Sequence, residues 1–231
     1  GVAIHAASSL LVLALARRWL AAFAPALPRP GFAALATALV FALHPAPTEA
    51  VAYIAGRSTA LSTMFTLAAL LAWERARDGS PAAWRAATML LFVAAMGARE
   101  SAWTLPFALV LVEVARGERM RDALRRTLPF WGLALVLASL VLAIAPYRQL
   151  LATSLSIRPP LDNLVAQVDS VVYLVTHPLL TLRLNFDPDL VARESVDGAW
   201  LAKVALSYGG IHAGIQLSTV TLKVYLQTLH L

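Results

Sequence analysis

Four charged residues stand beside long apolar runs, where charge is costly: Glu49, Arg57, Arg99 and Glu100, with His44 just ahead of the first. Ionisable groups at such places often serve function. Arginine presents a planar fork that grips phosphate through two parallel hydrogen bonds, and carboxylates accept hydrogen bonds from hydroxyls. The densest block is His44-Pro45-Ala46-Pro47-Thr48-Glu49-Ala50-Val51-Ala52-Tyr53-Ile54-Ala55-Gly56-Arg57-Ser58. Pro47-Thr48 predicts a helix start, with Thr48 as N-cap and Glu49 in the first turn. Arg57 follows eight residues on, about 12 Å further along a helix axis. Tyr53 stands four residues from each, so acid, phenol and guanidinium would form one stripe that suits a sugar phosphate. The same residues also have a plain structural reading. Glu49 could simply complement the helix dipole. Arg99-Glu100 could be a solvated turn, or pair with Arg57 or Glu49 for packing.

Other chemistry finds less support. Asn185-Phe186-Asp187-Pro188-Asp189 offers two carboxylates at i, i+2, and oxygen ligands could suit Mg²⁺ or Ca²⁺. The glycine and glutamate of a calcium loop are missing, so a polar turn is the better reading; no metal ligand is assigned, and a divalent ion stays open as a cofactor. His5, His44, His177, His212 and His230 are scattered. There is no His-Glu-x-x-His pair, no Gly-x-Ser-x-Gly elbow and no P-loop. The absence of cysteine excludes disulfides, thiolate zinc sites and a thiol nucleophile.

The elements that must hold these groups follow from composition. Apolar residues make up 59% of the 231 and charged residues 14%, against roughly 45–50% and about 25% in soluble domains. Disorder needs the opposite balance, and a soluble fold this apolar would carry large sticky patches. The expected class is all-α: a polytopic helical membrane protein. Runs of the required kind, roughly 20 residues for a full span, fall at Val2–Leu15, Gly31–Leu43, Thr48–Trp73, Ala82–Ala98, Ala102–Val114 and Thr127–Ala145. The last carries no charge. A charged loop is expected from Arg116 to Arg126 and another over 146–162. A seventh run, Leu164–Leu182, is interrupted by Asp169 and His177-Pro178. No ten-residue alternation of a membrane barrel is present, and no repeat of 20–50 residues.

The net charge is +6. In a soluble protein this would suggest nucleic acid, but here the bases fall between apolar runs, where they orient helices; no nucleic-acid partner is expected. One set of alternate connections holds Arg17, Arg18, Arg29, Arg75, Arg77, Arg85, Arg116, Arg119, Arg121, Arg125 and Arg126, eleven in all. The opposite set holds four: Arg57, Arg99, Arg148 and Arg158. The base-rich set should face the cytoplasm, which puts His44–Arg57, Arg99-Glu100 and 146–162 together outside. Gly1 already lies in an apolar run with no basic stretch or cleavage site ahead, so the chain reads as part of a longer protein.

With the motifs in order, the chain resembles the transmembrane and tetratricopeptide-repeat glycosyltransferases, whose eukaryotic members are protein O-mannosyltransferases. His44-Pro45-x-x-Thr48-Glu49-Ala50-Val51-Ala52-x-x-x-Gly56-Arg57 resembles the family signature. Arg99-Glu100-Ser101-Ala102-x-x-Leu105-Pro106 is similar to its Lys-Glu-x-x-x-x-Leu-Pro turn, with arginine for lysine. Leu184-Asn185-Phe186-Asp187 is similar to its Leu-Asn-x-Asp segment. The resemblance runs from about His5 to Trp200 and implies a GT-C-like transmembrane domain over 1–200, followed by an atypical tail over 201–231.

It further implies transfer of a mannose-like sugar from a polyprenyl-phosphate donor to a protein or glycan acceptor on the outer face. Arg57, Arg99 and His44 would hold the donor phosphate. Glu49 and Glu100 would orient sugar or acceptor hydroxyls. In enzymes of this kind an acidic pair sits in the first outer loop, ahead of the segment matched here, so this stretch alone should not catalyse transfer. The expected partners are membrane lipids, the lipid-linked sugar and the acceptor. Ala- and Arg-rich usage points to a high-GC bacterium and hence its inner membrane. Two rivals are a transporter or lipid flippase, which should show two related halves and a midplane site, and a non-catalytic scaffold for soluble repeats.

Overall fold

The computed structural model describes residues 1–44, 51–53, 56–157 and Gly198. The described elements are helical, with no strand among the described residues. Helix α1 spans Val2–Phe23, α2 Pro30–Leu43, α3 Arg57–Arg75 and α4 Pro81–Ala98. A 3₁₀ turn, Glu100–Thr104, leads into α5, Leu105–Ala115, and α6 spans Met120–Ala143. The chain divides into two compact units, Gly1–Val141 and Leu142–Leu231. In the second, helix α7, Ala145–Ile157, is described. Helices α1, α4 and α6 are long and apolar enough to cross a membrane, and α2 is a shorter apolar helix. The expected all-α membrane class is thus what the chain forms. The expected boundary at 200/201 and the seventh run, 164–182, lie outside the described residues.

The helix ends follow local rules. Pro30 and Pro81 open α2 and α4, where a missing N–H costs nothing and φ is already helical. His44 ends α2 in extended backbone, the conformation that a following proline imposes. Gly117 stands just beyond α5 at φ +87°, and its N–H reaches the Val114 carbonyl at 2.9 Å. That left-handed position strains any side-chain-bearing residue, so glycine is required for the close.

Four elements differ from expectation. Helix α1 continues eight residues past Leu15, through Arg17-Arg18. Arginine is a good helix former, and its long stem carries the charge away while the backbone continues. For the same reason α6 begins at Met120 and takes in Arg121, Arg125 and Arg126, so the charged loop is short. The third run is not one helix. Val51 and Ala52 are helical, Tyr53 is not, and Gly56 sits in a turn whose N–H binds the Tyr53 carbonyl at 3.2 Å. Tyr53 and Arg57 therefore lie on either side of a break, and the expected single-helix stripe does not form; glycine is the residue at which a helix is most easily abandoned. Finally, Ala145–Ile157 is a helix rather than a loop, with Pro146 tolerated in its first turn.

Within the first unit α3 is central. It packs most extensively against α4 and α1, and α1 packs on α2. The core joins Leu15 of α1, Ala69, Leu70, Leu71 and Trp73 of α3, Phe92 of α4, Leu105 and Leu109 of α5, and Phe130 and Ala134 of α6. The Phe130 ring meets Trp73 edge-on at 5.5 Å and Phe92 at 6.3 Å, geometries that aromatic quadrupoles favour. Phe32 and Leu43 on α2 and Leu128 and Leu135 on α6 are exposed, as suits faces turned to lipid.

Side-chain bonds fix which ends lie together. His5, early in α1, bonds the Ala42 carbonyl late in α2 at 3.1 Å, and Arg99 at the end of α4 bonds Thr59 at the start of α3. At the other end Arg18 pairs with Asp78, Arg77 with Glu113, and Arg116 with Glu74. The base-rich connections thus gather at one end. With the base-rich end inside, cysteine replacing Ser80 should resist an impermeant thiol reagent on intact cells, while cysteine replacing Ser101 is labelled. Labelling of the first and protection of the second would invert the topology.

Candidate functional site

The end that carries the sequence-predicted residues is built from the close of α2, the start of α3 and the α4–3₁₀ junction. His44 closes α2 and is half-buried. Arg57 opens α3 and is exposed. Arg99 sits in extended backbone between α4 and the 3₁₀ turn, and its guanidinium donates to the Thr59 hydroxyl two residues beyond Arg57. Glu100 opens the 3₁₀ turn and is exposed. The fold therefore brings Arg99 to the segment that begins with Arg57. Among the described residues no ion pair joins Arg57, Arg99 and Glu100. Glu49 lies outside the described residues, as does Asn185–Asp189. Two exposed guanidinium groups at one end, one of them bonded to a hydroxyl, can present N–H donors to an anion.

The opposite end holds residues that sequence reasoning assigned only to loops or left aside. Glu74 and Glu113 are each 1% exposed. Glu113 accepts from the Trp73 indole at 2.9 Å and from Arg126 at 2.8 Å, and pairs with Arg77 as well. Glu74 accepts from the Trp19 indole at 3.2 Å and from two nitrogens of Arg116. Each carboxylate thus receives one indole and at least one guanidinium, which satisfies its oxygens as burial demands. Trp73 and Glu74 are neighbours on α3 but face different partners: Trp73 ties α3 to α5, and Glu74 ties it to α1 and to the turn after α5. Outside the helices, the hydrogen bond from Arg18 holds the Asp78 carboxyl below its ordinary value.

Such carboxylates are held fixed by their donors. They clamp the helix ends. A signal for them existed in the sequence: five acids, Glu74, Asp78, Glu113, Glu118 and Asp122, fall among the bases of this end. The rule that orients helices gives acids little weight, so the pairing was not visible from base counting. Among the described residues, no three His, Asp or Glu side chains group as a metal centre would need.

Fold and charge placement together define a polytopic helical membrane protein with two polar ends of different character. Its sequence is similar to that of a particular enzyme, protein O-mannosyl-transferase Tmtc2 of Drosophila melanogaster, 29% identical over 202 residues, which is 82% of this chain and 20% of that protein. The chain thus spans about a fifth of the length of that relative. No family model matches the chain, and no solved structure matches it.

Proposed function

We propose that the chain carries the membrane part of a glycosyltransferase that moves a mannose-like sugar from a polyprenyl-phosphate donor to a protein or glycan acceptor at the face bearing His44, Arg57, Arg99 and Glu100. The observation that supports this reading is the similarity to an O-mannosyl-transferase over 82% of the chain; a stretch that long includes residues 44–100 wherever it begins. In this reading Arg57 and Arg99, with His44, hold the donor phosphate. Glu49 and Glu100 orient sugar and acceptor hydroxyls. The bond from the sugar's anomeric carbon to phosphate oxygen breaks, the acceptor oxygen bonds that carbon, its proton passes to a base, and polyprenyl phosphate leaves with the electron pair. Fixed cations stabilise the charge that develops on the departing phosphate, where preorganised electrostatics is most effective. The membrane is that of a bacterial cell in this reading, with the site on its outer face.

The test is transfer rate against donor concentration in the full-length protein, beside thermal stability in detergent. Lysine keeps the charge of arginine but loses the fork. Arg57→Lys and Arg99→Lys should each raise KM for the polyprenyl-phosphate sugar about tenfold, with stability unchanged, about the loss of one charge-assisted hydrogen bond. Glu49→Gln should lower turnover more than about tenfold, whereas a residue that only complements a helix dipole would shift stability by about 0.3–1 kcal/mol and leave turnover alone. Wild-type kinetics in all three variants would remove these residues from the site.

A further inference from the structure

At the end opposite the proposed transfer site, an open cavity of about 300 Å³ lies between the close of α3, the start of α4, the close of α5 and the first turns of α6. Three arginines line it, Arg77, Arg85 and Arg126, against two carboxylates, Glu113 and Glu118. Arg77 uses one terminal nitrogen on Glu113, and Arg126 uses one on Glu113 and Glu118 together. A guanidinium has five N–H donors, so both keep donors in hand. Arg85 is exposed and makes no ion pair among the described residues. The cavity therefore carries one positive charge more than its own acids neutralise.

We infer that this cavity binds the phosphate of an anionic phospholipid headgroup, with Arg85 as the principal contact and the free donors of Arg77 and Arg126 completing it. Three observations favour a lipid over a soluble phosphate. The cavity opens at the ends of α4 and α6, both apolar enough to cross a membrane. Leu90, five residues along α4 from Arg85, and Leu128, two along α6 from Arg126, are exposed and offer apolar surface for acyl chains. Trp84, next to Arg85, lies under the Arg75 guanidinium at 5.2 Å, and tryptophan beside arginine is the usual furniture of a headgroup layer. The volume stands at the small end of ligand pockets, which run from roughly 300 to 1,000 Å³. A headgroup fits it, and the tails must lie along the helices. Basic pockets between membrane helices hold anionic headgroups by this chemistry. The inference rests on the chain lying in a membrane and not on the transfer reaction.

The experiment is thermal unfolding of the full chain in neutral detergent, titrated with phosphatidylglycerol, with phosphatidylcholine, or with inorganic phosphate. Phosphatidylglycerol should raise the unfolding temperature by about 4 °C or more at saturation, as a ligand of the native state alone does. Phosphatidylcholine and inorganic phosphate should leave it unchanged. Arg85→Gln should unfold at the wild-type temperature without lipid and need about five- to tenfold more phosphatidylglycerol for the same shift, the expected loss for one basic contact at a membrane surface. Equal shifts with both lipids, a full shift with millimolar inorganic phosphate, or an unaltered titration in Arg85→Gln would each overturn the assignment.

Discussion

Glu113→Ala should cost about 1–3 kcal/mol of stability, the expected loss when an acceptor is removed and its buried donor stays. Glu113 is 1% exposed and accepts from Trp73, Arg77 and Arg126. Its loss leaves a buried indole N–H without an acceptor and the Arg77 guanidinium without its counter-charge. Arg126 retains Glu118 at 2.8 Å, so the damage should concentrate on Arg77 and on the α3–α5 junction. In thermal unfolding in detergent the variant should melt roughly 5 °C below wild type, at about 2–4 °C per kcal/mol for a chain of this size. Arg85→Gln is the control, since it changes charge beside the same cavity without breaking a pair. Should Glu113→Ala and the control melt together at the wild-type temperature, the cluster contributes no net stability. Glu113→Gln should fall between them, because it keeps shape and an acceptor while losing charge.

Phe130→Ala should cost more, about 3–5 kcal/mol, by a different route. Phe130 is 2% exposed and contacts both Trp73 and Phe92. Truncation opens a cavity where α3, α4 and α6 meet, and both ring contacts go with it. Between membrane helices close packing supplies much of the association energy, so the cavity is the larger part of the loss. Phe130→Leu conserves most of the volume and should cost less than about 1.5 kcal/mol. The check is the unfolding temperature of both variants against wild type. Leucine and alanine variants of equal stability would mean that neighbouring side chains collapse into the space. The two predictions are coupled: Trp73 packs on Phe130 and donates to Glu113. A Phe130→Ala/Glu113→Ala double variant should therefore lose less than the sum of the singles, as residues sharing a partner do.

The centres of the apolar runs were legible because a helix in lipid must satisfy its backbone internally and turn apolar side chains outward, a demand written directly in composition. Their ends were less so. Arg17-Arg18 and Arg125-Arg126 read as loop charges, yet all four continue helices; charge marks where the membrane ends, not where the helix does. The break at Tyr53–Gly56 was missed because an apolar run gives no sign of a kink until its glycine is weighed as one. At the proposed transfer end, types and spacing singled out Arg57, Arg99 and Glu100, and only the fold supplied Thr59 as the partner of Arg99. The acids of the buried clamps stood among the bases in plain view, but their pairing was illegible. Trp19 meets Glu74 across 55 residues, Arg116 meets Glu74 across 42, and Arg77 meets Glu113 across 36. Which acid meets which base is decided by helix packing, and no local pattern encodes it.

The clamps also bear on the order of synthesis. A chain made from its N-terminus has Trp19 ready when Glu74 emerges, but Arg116 comes 42 residues later. Glu113 likewise has Trp73 and Arg77 waiting for it, and Arg126 follows 13 residues on. Until Arg116 arrives Glu74 has no counter-charge and must stay in the wet headgroup layer, because an unpaired charge does not enter a packed interior. Helix α1 can enter the bilayer early, yet the end it shares with α3 cannot shut before α5 and Arg116 have arrived. The nascent bundle is thereby kept open on its base-rich side until Arg116 is made.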